Sequence, residues 1–323
     1  MPLNRHDVVQ AYRYILGREP ENDAVVARHL RDHPDLDSLR QAFLNSEELR
    51  LQLGRTEAKV VLADSLPLDA PALPIETDTD PATLAKVVAH TARFWEAIGE
   101  TAPHWSVITS DEFRPERVAA NEVQFFRSAE VDRDLLLALL RRIDRAPGTF
   151  RKLVEFGCGV GRLTTHLAGS FENVIGLDIS RPHLRLAEDH MRRFGRGNGS
   201  FRLVTPDNLH PVDGFDLWFS RIVLQHNPPP VIMHILDRMF DLLAPGGISI
   251  FQVPTYYVGY RFSIAEYLQS DLGSILEMHA VPQRAVLDLA HRHRCRLLEI
   301  REDTPVIARN PDYLSNTFIF QKE

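Results

Sequence analysis

The sequence predicts an α/β protein: a doubly wound parallel sheet with helices on both faces, preceded by a small all-helical module. Two observations carry this prediction. From about residue 130 onward, short apolar segments alternate with longer segments of helical periodicity, the pattern of parallel strands joined by crossover helices. In the first 54 residues the apolar side chains instead recur at helical spacing, as in Val8, Tyr12 and Ile15.

Composition narrows the class of protein. The chain has 323 residues, of which 44% are hydrophobic and 25% charged, and a formal net charge of -7. This negative charge argues against nucleic acid as a partner, because such binding relies on neutralising phosphates. The two cysteines, Cys158 and Cys295, predict no disulfide framework. No signal-peptide core and no apolar run of about 20 residues is visible, so we expect a cytoplasmic protein without an integral membrane segment.

Changes in composition divide the chain into four segments. Residues 1–54 are the helical module, and residues 55–81 contain four prolines, typical of an extended linker. Residues 82–129 begin with a predicted helix and continue as an irregular stretch containing Trp105. That segment is interpreted as a lid over a site, with ordinary core packing as the alternative. Residues 130–323 form the α/β domain.

The elements of the α/β domain follow one another in a regular order. Helices are predicted at 135–143, 162–168, 182–194 and 231–243, and strands at 152–156, 173–177, 201–205, 215–220 and 248–253.

The turn after the first strand carries three glycines, Gly157, Gly159 and Gly161, and a helix follows at once. Glycines allow a backbone to turn tightly and to approach a ligand closely. A nicotinamide enzyme could use a similar turn. The spacing departs from G-x-G-x-x-G, however, and the acid Glu155 stands two residues before the first glycine.

A second acid, Asp178, ends the next predicted strand, 21 residues beyond Gly157. A carboxylate there can accept hydrogen bonds from both hydroxyls of a ribose. Nicotinamide enzymes share this feature. The segment Leu243-Ala244-Pro245-Gly246-Gly247, which precedes the fifth strand, is a rarer feature than the glycine turn.

Residues 150–255 resemble the class I S-adenosylmethionine-dependent methyltransferase family. The resemblance rests on the segments 154–161, 176–178, 215–216 and 243–247, in the family's order and spacing. It implies a Rossmann-like sheet of seven strands, with 295–302 and 316–321 as the last two and the final one antiparallel. It also implies S-adenosylmethionine as cofactor, with the glycines at its methionine part, Asp178 at the ribose and Asp207 at the adenine edge. The full set of expected cofactor-binding residues is Glu155, Gly157, Cys158, Gly159, Gly161, Asp178, Ile179, Asp207, Asn208 and Ser220.

Methyl transfer is an in-line displacement, so the protein must hold donor and acceptor close and aligned. A hydroxyl acceptor often also needs a general base. His226, after the fourth strand, and His279, after the fifth, are the candidates, although His226 could instead hold a loop in place. Residues just beyond strand ends are predicted to bind the acceptor, with aromatic packing as the alternative for the tyrosines: Arg221, Tyr256, Tyr257, Tyr260 and Arg261.

A metal is not expected. Residues 219–221, at the end of the fourth strand, include no carboxylate, and the group His291, His293 and Cys295 is better explained as a solvated helix end.

Asn227 lies 11 residues beyond Asp216, too far for the Asn-Pro-Pro signature of amino-group methyltransferases. It is predicted instead to cap a helix whose first turn contains prolines.

The N-terminal segments 11–20 and 43–48 resemble a helical module of bacterial glycan-assembly and cell-surface proteins. This implies O-methylation of a hydroxyl of a bacterial saccharide or glycan. The alternatives are a small natural-product acceptor or a non-catalytic cofactor-binding scaffold. A nicotinamide oxidoreductase is disfavoured by the glycine spacing and the Pro-Gly-Gly turn. The module could also serve as an arm for a protein partner or for self-association.

Overall fold

The computed structural model describes residues 3–46, 48–49, 71–270, 276–303 and 313–323. The chain divides into two compact units, Met1–Ser65 and Leu66–Glu323. The predicted segments 82–129 and 130–323 therefore belong to one unit. Residues 55–70 of the predicted linker lie outside the described residues.

The described part of the first unit includes the helices α1 (Arg5–Ile15), α2 (Asp23–Asp32) and α3 (Leu36–Leu44). Each begins at a side-chain cap, and the first has a complete capping box between Asn4 and Asp7. The rings of Tyr12 and Phe43 meet edge to face at 4.8 Å in the core of this unit. The helical character predicted for the module is therefore confirmed, and α2 is an element that the sequence analysis did not single out.

The second unit is built on one sheet. Its strands are β1 (Leu153–Phe156), β2 (Val174–Asp178), β3 (Gly199–Leu203), β4 (Phe215–Ser220), β5 (Leu243–Tyr257), β6 (Cys295–Glu302) and β7 (Tyr313–Lys322). Its helices are α4 (Pro81–Thr101), α5 (Pro103–Val107), α6 (Val118–Arg127), α7 (Ala129–Arg142), α8 (Arg162–Leu167), α9 (Arg181–Arg193), α10 (Pro229–Leu242), α11 (Ile264–Gln269) and α12 (Gln283–Arg292). Within the described ranges, no helix combines the length and the apolar character that a membrane crossing needs.

The strand order is β3-β2-β1-β4-β5-β7-β6. β1 pairs in parallel with both β2 and β4, whereas β7 runs antiparallel to β5 and to β6. The predicted seven-stranded, Rossmann-like sheet with an antiparallel last strand is thus confirmed. Because the strand order reverses direction at β1, the carboxyl ends of β1 and β4 border the crevice in which such sheets bind ligands.

Both faces of the sheet are buried. Alternate residues of β1 divide between the two: Val154 packs with α4 and α10, and Leu153 packs with α7, α8 and α9. From α4, Val87 and Val88 enter the first of these cores. The helix at the start of the predicted segment 82–129 therefore contributes to the core of the second unit.

Two short motifs have a structural role. The Asp216 carboxylate accepts hydrogen bonds from the backbone N–H groups of Arg151 (2.8 Å) and Lys152 (2.9 Å), at the amino end of β1. The Pro-Gly-Gly segment lies within the irregular start of β5, where the register with β4 shifts and Gly246 has φ +78°. Neither motif lies at the crevice.

The start of α10 corrects one prediction. The prolines at 229 and 230 occupy its first turn, as expected, but Pro228 is the N-cap residue. Asn227 donates its Nδ2–H to the carbonyl of Val223 at 3.1 Å. It therefore closes the turn before the helix and does not cap it.

Candidate functional site

The glycine turn between β1 and α8 has a backbone that only glycine adopts easily. Gly157, Gly159 and Gly161 have φ values of 76°, 52° and 75°, all in the left-handed region. A methyl group on Gly157 would lie 2.2 Å from Val223 Cγ1, and one on Gly159 would lie 2.6 Å from Val107 Cγ2. Both positions thus require glycine for conformation and for space.

Asp178, at the end of β2, holds this turn. Its carboxylate accepts hydrogen bonds from the backbone N–H groups of Gly159 at 2.8 Å and Ser180 at 2.9 Å. Each carboxylate oxygen has a second lone pair. Asp178 can therefore support the glycine turn and still accept hydrogen bonds from a ligand.

A cavity of about 740 Å³ lies beyond the ends of β1, β2 and β4, within the usual range of small-molecule sites. Eight of the residues predicted for the site line it: Glu155, Gly157, Cys158, Gly159, Asp178, Ile179, Arg221 and His226. Its described lining also includes side chains that the sequence analysis did not single out, among them Trp95, Val107, Asp132, Arg162, Val223 and Met278.

The other predicted site residues are not among the described residues that line this cavity: Gly161, Asp207, Asn208, Ser220, Tyr256, Tyr257, Tyr260, Arg261 and His279. Gly161 allows α9 to pack closely against the glycine turn, since a methyl group on Gly161 would lie 3.0 Å from Ala187 Cβ. Ser220 donates its hydroxyl to the carbonyl of Phe156 at 3.1 Å and so joins β4 to β1. Asp207 is exposed in a tight turn.

The predicted acceptor residues at the end of β5 and just beyond it contact one another and their neighbours. Tyr260 and His279 share a hydrogen bond of 2.8 Å between the hydroxyl and Nδ1. Tyr257 stacks on Tyr313 with ring centroids 4.0 Å apart. Arg261 pairs with Glu266 on the surface. For these tyrosines, aromatic packing is what the structure displays.

Glu155 is a buried acid at the base of the cavity. The Thr164 hydroxyl donates to its Oε2 at 2.6 Å. Burial raises the pKa of Glu155 from 4.5 to about 8, against the opposing effect of the Thr164 hydrogen bond. At neutral pH the buried side chain is mostly a neutral acid. Burial also raises the pKa of the neighbouring Cys158 thiol, which stays protonated.

His226 reaches the cavity from the short helix Leu224–His226. Its Nδ1 lies 2.8 Å from the carbonyl of Glu277, which can only accept, so Nδ1 carries the proton. Nε2 is then an acceptor, and its one described contact is a long one, 3.4 Å from Gln225 Nε2. Burial lowers the pKa of His226 from 6.5 to about 4, which keeps the ring neutral. A neutral imidazole with an available Nε2 lone pair is equipped to accept a proton.

One wall of the cavity is a charged cluster, which we call the Arg–Asp–Arg cluster: Asp132 on α7, Arg162 at the start of α8 and Arg221 after β4. Asp132 accepts a hydrogen bond from Arg162 Nη2 at 2.5 Å and another from Arg221 Nη1. All three side chains line the cavity and are at most 17% exposed. Among the described residues, no group of three or more His, Cys, Asp or Glu side chains is placed to hold a metal ion.

The contact between Val107 and the glycine turn supports a prediction. We expect Gly159→Ala to lower the free energy of unfolding by about 2–5 kcal/mol. About 1–2 kcal/mol is the strain of the left-handed conformation, and about 1–3 kcal/mol arises because the added methyl meets Val107 Cγ2 at 2.6 Å. Val107→Ala removes that atom, so the double variant should regain part of the loss, with a coupling of about 1 kcal/mol. Urea denaturation of the four proteins measures it.

A matched control separates space from backbone conformation. Gly214 has φ +50°, close to the +52° of Gly159, but a methyl group there meets nothing within 4 Å. Gly214→Ala should therefore cost only the strain of the left-handed conformation, about 1–2 kcal/mol, and Val107→Ala should not alter that cost. Strictly additive effects of Gly159→Ala and Val107→Ala would contradict the predicted contact.

Comparison with known proteins agrees with this geometry. Residues 153–247 match the family model described as a methyltransferase domain. A ubiquinone biosynthesis O-methyltransferase of Rhodopseudomonas palustris (strain BisA53) is 26% identical over 187 residues, which are 56% of this chain and 64% of that protein. A trans-aconitate 2-methyltransferase of Methylobacterium radiotolerans is 35% identical over 106 residues, 32% of this chain and 38% of that protein. The matches thus span less than two thirds of either relative.

Among solved structures, a magnesium protoporphyrin IX methyltransferase of Synechocystis PCC 6803 aligns with 74% of this chain and 100% of its own. The identity is 15% and the TM-score 0.49. The family match covers β1 to the start of β5, the strands that surround the glycine turn and Asp178.

Proposed function

We propose that the S-adenosylmethionine-dependent methyltransferase domain formed around residues 153–247 transfers a methyl group to a hydroxyl of a small-molecule acceptor. One observation carries the proposal: a single cavity is lined by the glycine turn and Asp178 and also by His226. The glycine turn and Asp178 suit a nucleoside-bearing methyl donor, and His226 suits an acceptor that must lose a proton. The family match supports the choice of methyl transfer.

The residues present fit the cofactor. The left-handed glycines carry no side chains, so the backbone at these positions can border the methionine part. Asp178 retains lone pairs for the ribose hydroxyls. Apolar side chains that follow β2 and β3, Ile179, Val204 and Leu209, line the same cavity and offer surfaces for an adenine ring. When bound, S-adenosylmethionine supplies an electrophilic methyl group on a sulfonium.

His226 is the proposed general base. The Glu277 carbonyl fixes the proton on Nδ1, so that Nε2 can take the hydroxyl proton as the oxygen attacks. The surrounding walls, which include Trp95, Val107 and Met278, hold the acceptor and exclude water. His279, the other candidate base, is proposed to be a positioning residue, since its imidazole contacts the Tyr260 hydroxyl and the side chain of Glu277, the residue whose carbonyl accepts from His226.

The class of acceptor is part of the proposal. The relatives named above are a ubiquinone biosynthesis O-methyltransferase and a trans-aconitate 2-methyltransferase. Both names favour a small-molecule acceptor, and the first favours methylation on oxygen. A saccharide hydroxyl, suggested by the N-terminal module, is a second candidate. One observation favours it, because the Trp95 indole lies at the cavity near His226, with ring centroids 5.8 Å apart, and could stack on a sugar face. The cytoplasmic location and a partner for the module stay predictions.

We expect Asp178→Asn to weaken the binding of S-adenosylhomocysteine by about 1–3 kcal/mol, because a charged acceptor for two hydroxyl groups becomes neutral. Isothermal titration calorimetry measures this. Glu188→Gln removes the same charge from the exposed surface of α9 and is the matched control. If Asp178→Asn bound the ligand within a factor of about two of the parent, or if the parent did not bind it, the proposal would fail.

A further inference from the structure

The Arg–Asp–Arg cluster has more positive than negative charge. Two guanidinium groups share one carboxylate, and both oxygens of Asp132 are already occupied, one by each arginine. The cluster therefore has a net charge of one positive. A charge that is largely removed from water is costly unless it is paired, so the cavity wall favours an anionic ligand.

The two arginines differ in how far the protein satisfies them. Arg162 donates through Nη2 to Asp132 and through Nη1 to the Ser128 hydroxyl at 3.1 Å, so that only its buried Nε has no partner among the described residues. Arg221 donates through Nη1 to Asp132, and its Nε and Nη2 make no hydrogen bond within the described part of the chain. Because Arg221 lines the cavity and is 17% exposed, those donors are available to a ligand there.

Arg221 also lies on the same loop as the proposed base. Arg162 follows the glycine turn directly, whereas Arg221 leaves the end of β4 five residues before His226. Ile222 lies between Arg221 and His226 in the chain, and its φ of +57° is rare for a β-branched residue. Such a strained residue needs support from its surroundings.

A buried amide provides that support. The backbone N–H of Ile222 donates to Gln252 Oε1 at 2.9 Å. The Nε2 group of Gln252 donates in turn to Gln225 Oε1 at 3.1 Å and to the Ser315 hydroxyl at 2.7 Å. The strained loop is thus fixed at both of its ends, which gives Arg221 and His226 a defined relation within one cavity.

We propose that Arg221 binds a carboxylate of the acceptor, so that the substrate is a small organic acid with a hydroxyl group that His226 deprotonates. This inference rests on the proposed function. A guanidinium binds carboxylate or phosphate oxygens in the same forked geometry. The single positive charge of the cluster matches a carboxylate monoanion, whereas a phosphate dianion would leave an excess negative charge in the wall.

The test compares two probes that differ in one charge. Protein saturated with S-adenosylhomocysteine is titrated with 3,4-dihydroxybenzoate and with 3,4-dihydroxybenzamide, its uncharged analogue, in a calorimeter.

The acid should bind at least about tenfold more tightly than the amide. Arg221→Gln should reduce that preference to about onefold, Arg221→Lys should retain part of it, and both should change the affinity for S-adenosylhomocysteine by less than about twofold. Arg238→Gln, which removes an exposed arginine of α10, is the matched control.

The outcomes separate this inference from the proposed function. A parent protein that does not bind S-adenosylhomocysteine contradicts the proposed function itself. If it binds that ligand but binds acid and amide equally, or binds neither, the carboxylate subsite is wrong while the methyltransferase proposal stands. If Arg221→Gln weakens S-adenosylhomocysteine about tenfold and leaves the preference for the acid unchanged, Arg221 serves the cofactor and the inference is overturned.

Discussion

His226→Asn is expected to lower the rate constant of methyl transfer by about 10²–10⁴-fold, the usual contribution of a positioned general base. The affinity for S-adenosylhomocysteine should stay unchanged, because His226 borders the cavity on the fourth-strand side and the glycine turn and Asp178 are left intact. Single-turnover measurements with saturating cofactor give the rate constant, and calorimetry gives the affinity. A loss of less than about twofold in rate would show that another group accepts the proton.

His279→Asn provides the comparison, since both histidines were predicted as bases. His279 shares hydrogen bonds with Tyr260 at 2.8 Å and Glu277 at 3.3 Å, away from the described cavity lining. Its loss should lower the thermal stability and reduce the rate less than the loss of His226 does. The opposite ranking of the two rates would assign the base to His279.

The pH dependence gives an independent check on His226. Because burial holds the pKa of its imidazole at about 4, the base is neutral, and therefore active, throughout the physiological range. As the pH falls through about 4 the ring takes up a proton, and the part of kcat/KM that depends on His226 should decline there. A decline centred near 6.5, the ordinary value of a histidine, would contradict this environment. His226→Asn should abolish the decline.

The strands and the glycine turn could be predicted from sequence because their determinants are local. The predicted fourth strand, 215–220, coincides with β4, and the other strands differ from prediction mainly at their ends. Gly157 and Asp178 are adjacent in space because parallel neighbours bring their carboxyl ends to one edge of the sheet. The longest disagreement is β5, which begins at Leu243 and ends at Tyr257. Pairing of Leu243 with Phe215 of β4 extends its start, and pairing with β7 extends its end.

That extension explains why the tyrosines were assigned to the acceptor pocket. Tyr257 was expected in a loop past the strand end, but it pairs with Tyr313 of β7 and stacks on its ring. Asp207 illustrates a similar difficulty. Thr205 and Asn208 exchange backbone hydrogen bonds of 3.1 and 3.0 Å across a tight turn, which leaves Asp207 exposed and the flanking Val204 and Leu209 in the cavity.

The Arg–Asp–Arg cluster could not be predicted, because its members come from three distant elements. Arg162 was recognisable as the residue after the glycine turn, and Arg221 was predicted as a substrate residue, but Asp132 stands in α7 among helical surface residues. Only the packing of α7 beside α8 brings its carboxylate to both arginines. The sequence around Val107 likewise has no feature that predicts its contact with Gly159.

Glu155→Gln is expected to change how the stability depends on pH. In the folded protein burial holds the pKa of Glu155 at about 8, above the 4.5 of an unburied glutamate. Between these values the folded state keeps a proton that the unfolded state releases. The free energy of unfolding of the parent should therefore fall as the pH rises from about 4.5 to 8, by a contribution on the order of 4 kcal/mol.

Glutamine has no proton to lose, and its Oε1 can still accept the hydrogen bond from the Thr164 hydroxyl. The variant should therefore lack this contribution, so that its stability relative to the parent increases steadily between pH 5 and pH 8.5. Urea denaturation at a series of pH values measures both curves, with the exposed Glu188→Gln as control. Parallel curves for the parent and Glu155→Gln would mean that Glu155 is ionised in the folded protein, and that water or a cation compensates its charge at the base of the cavity.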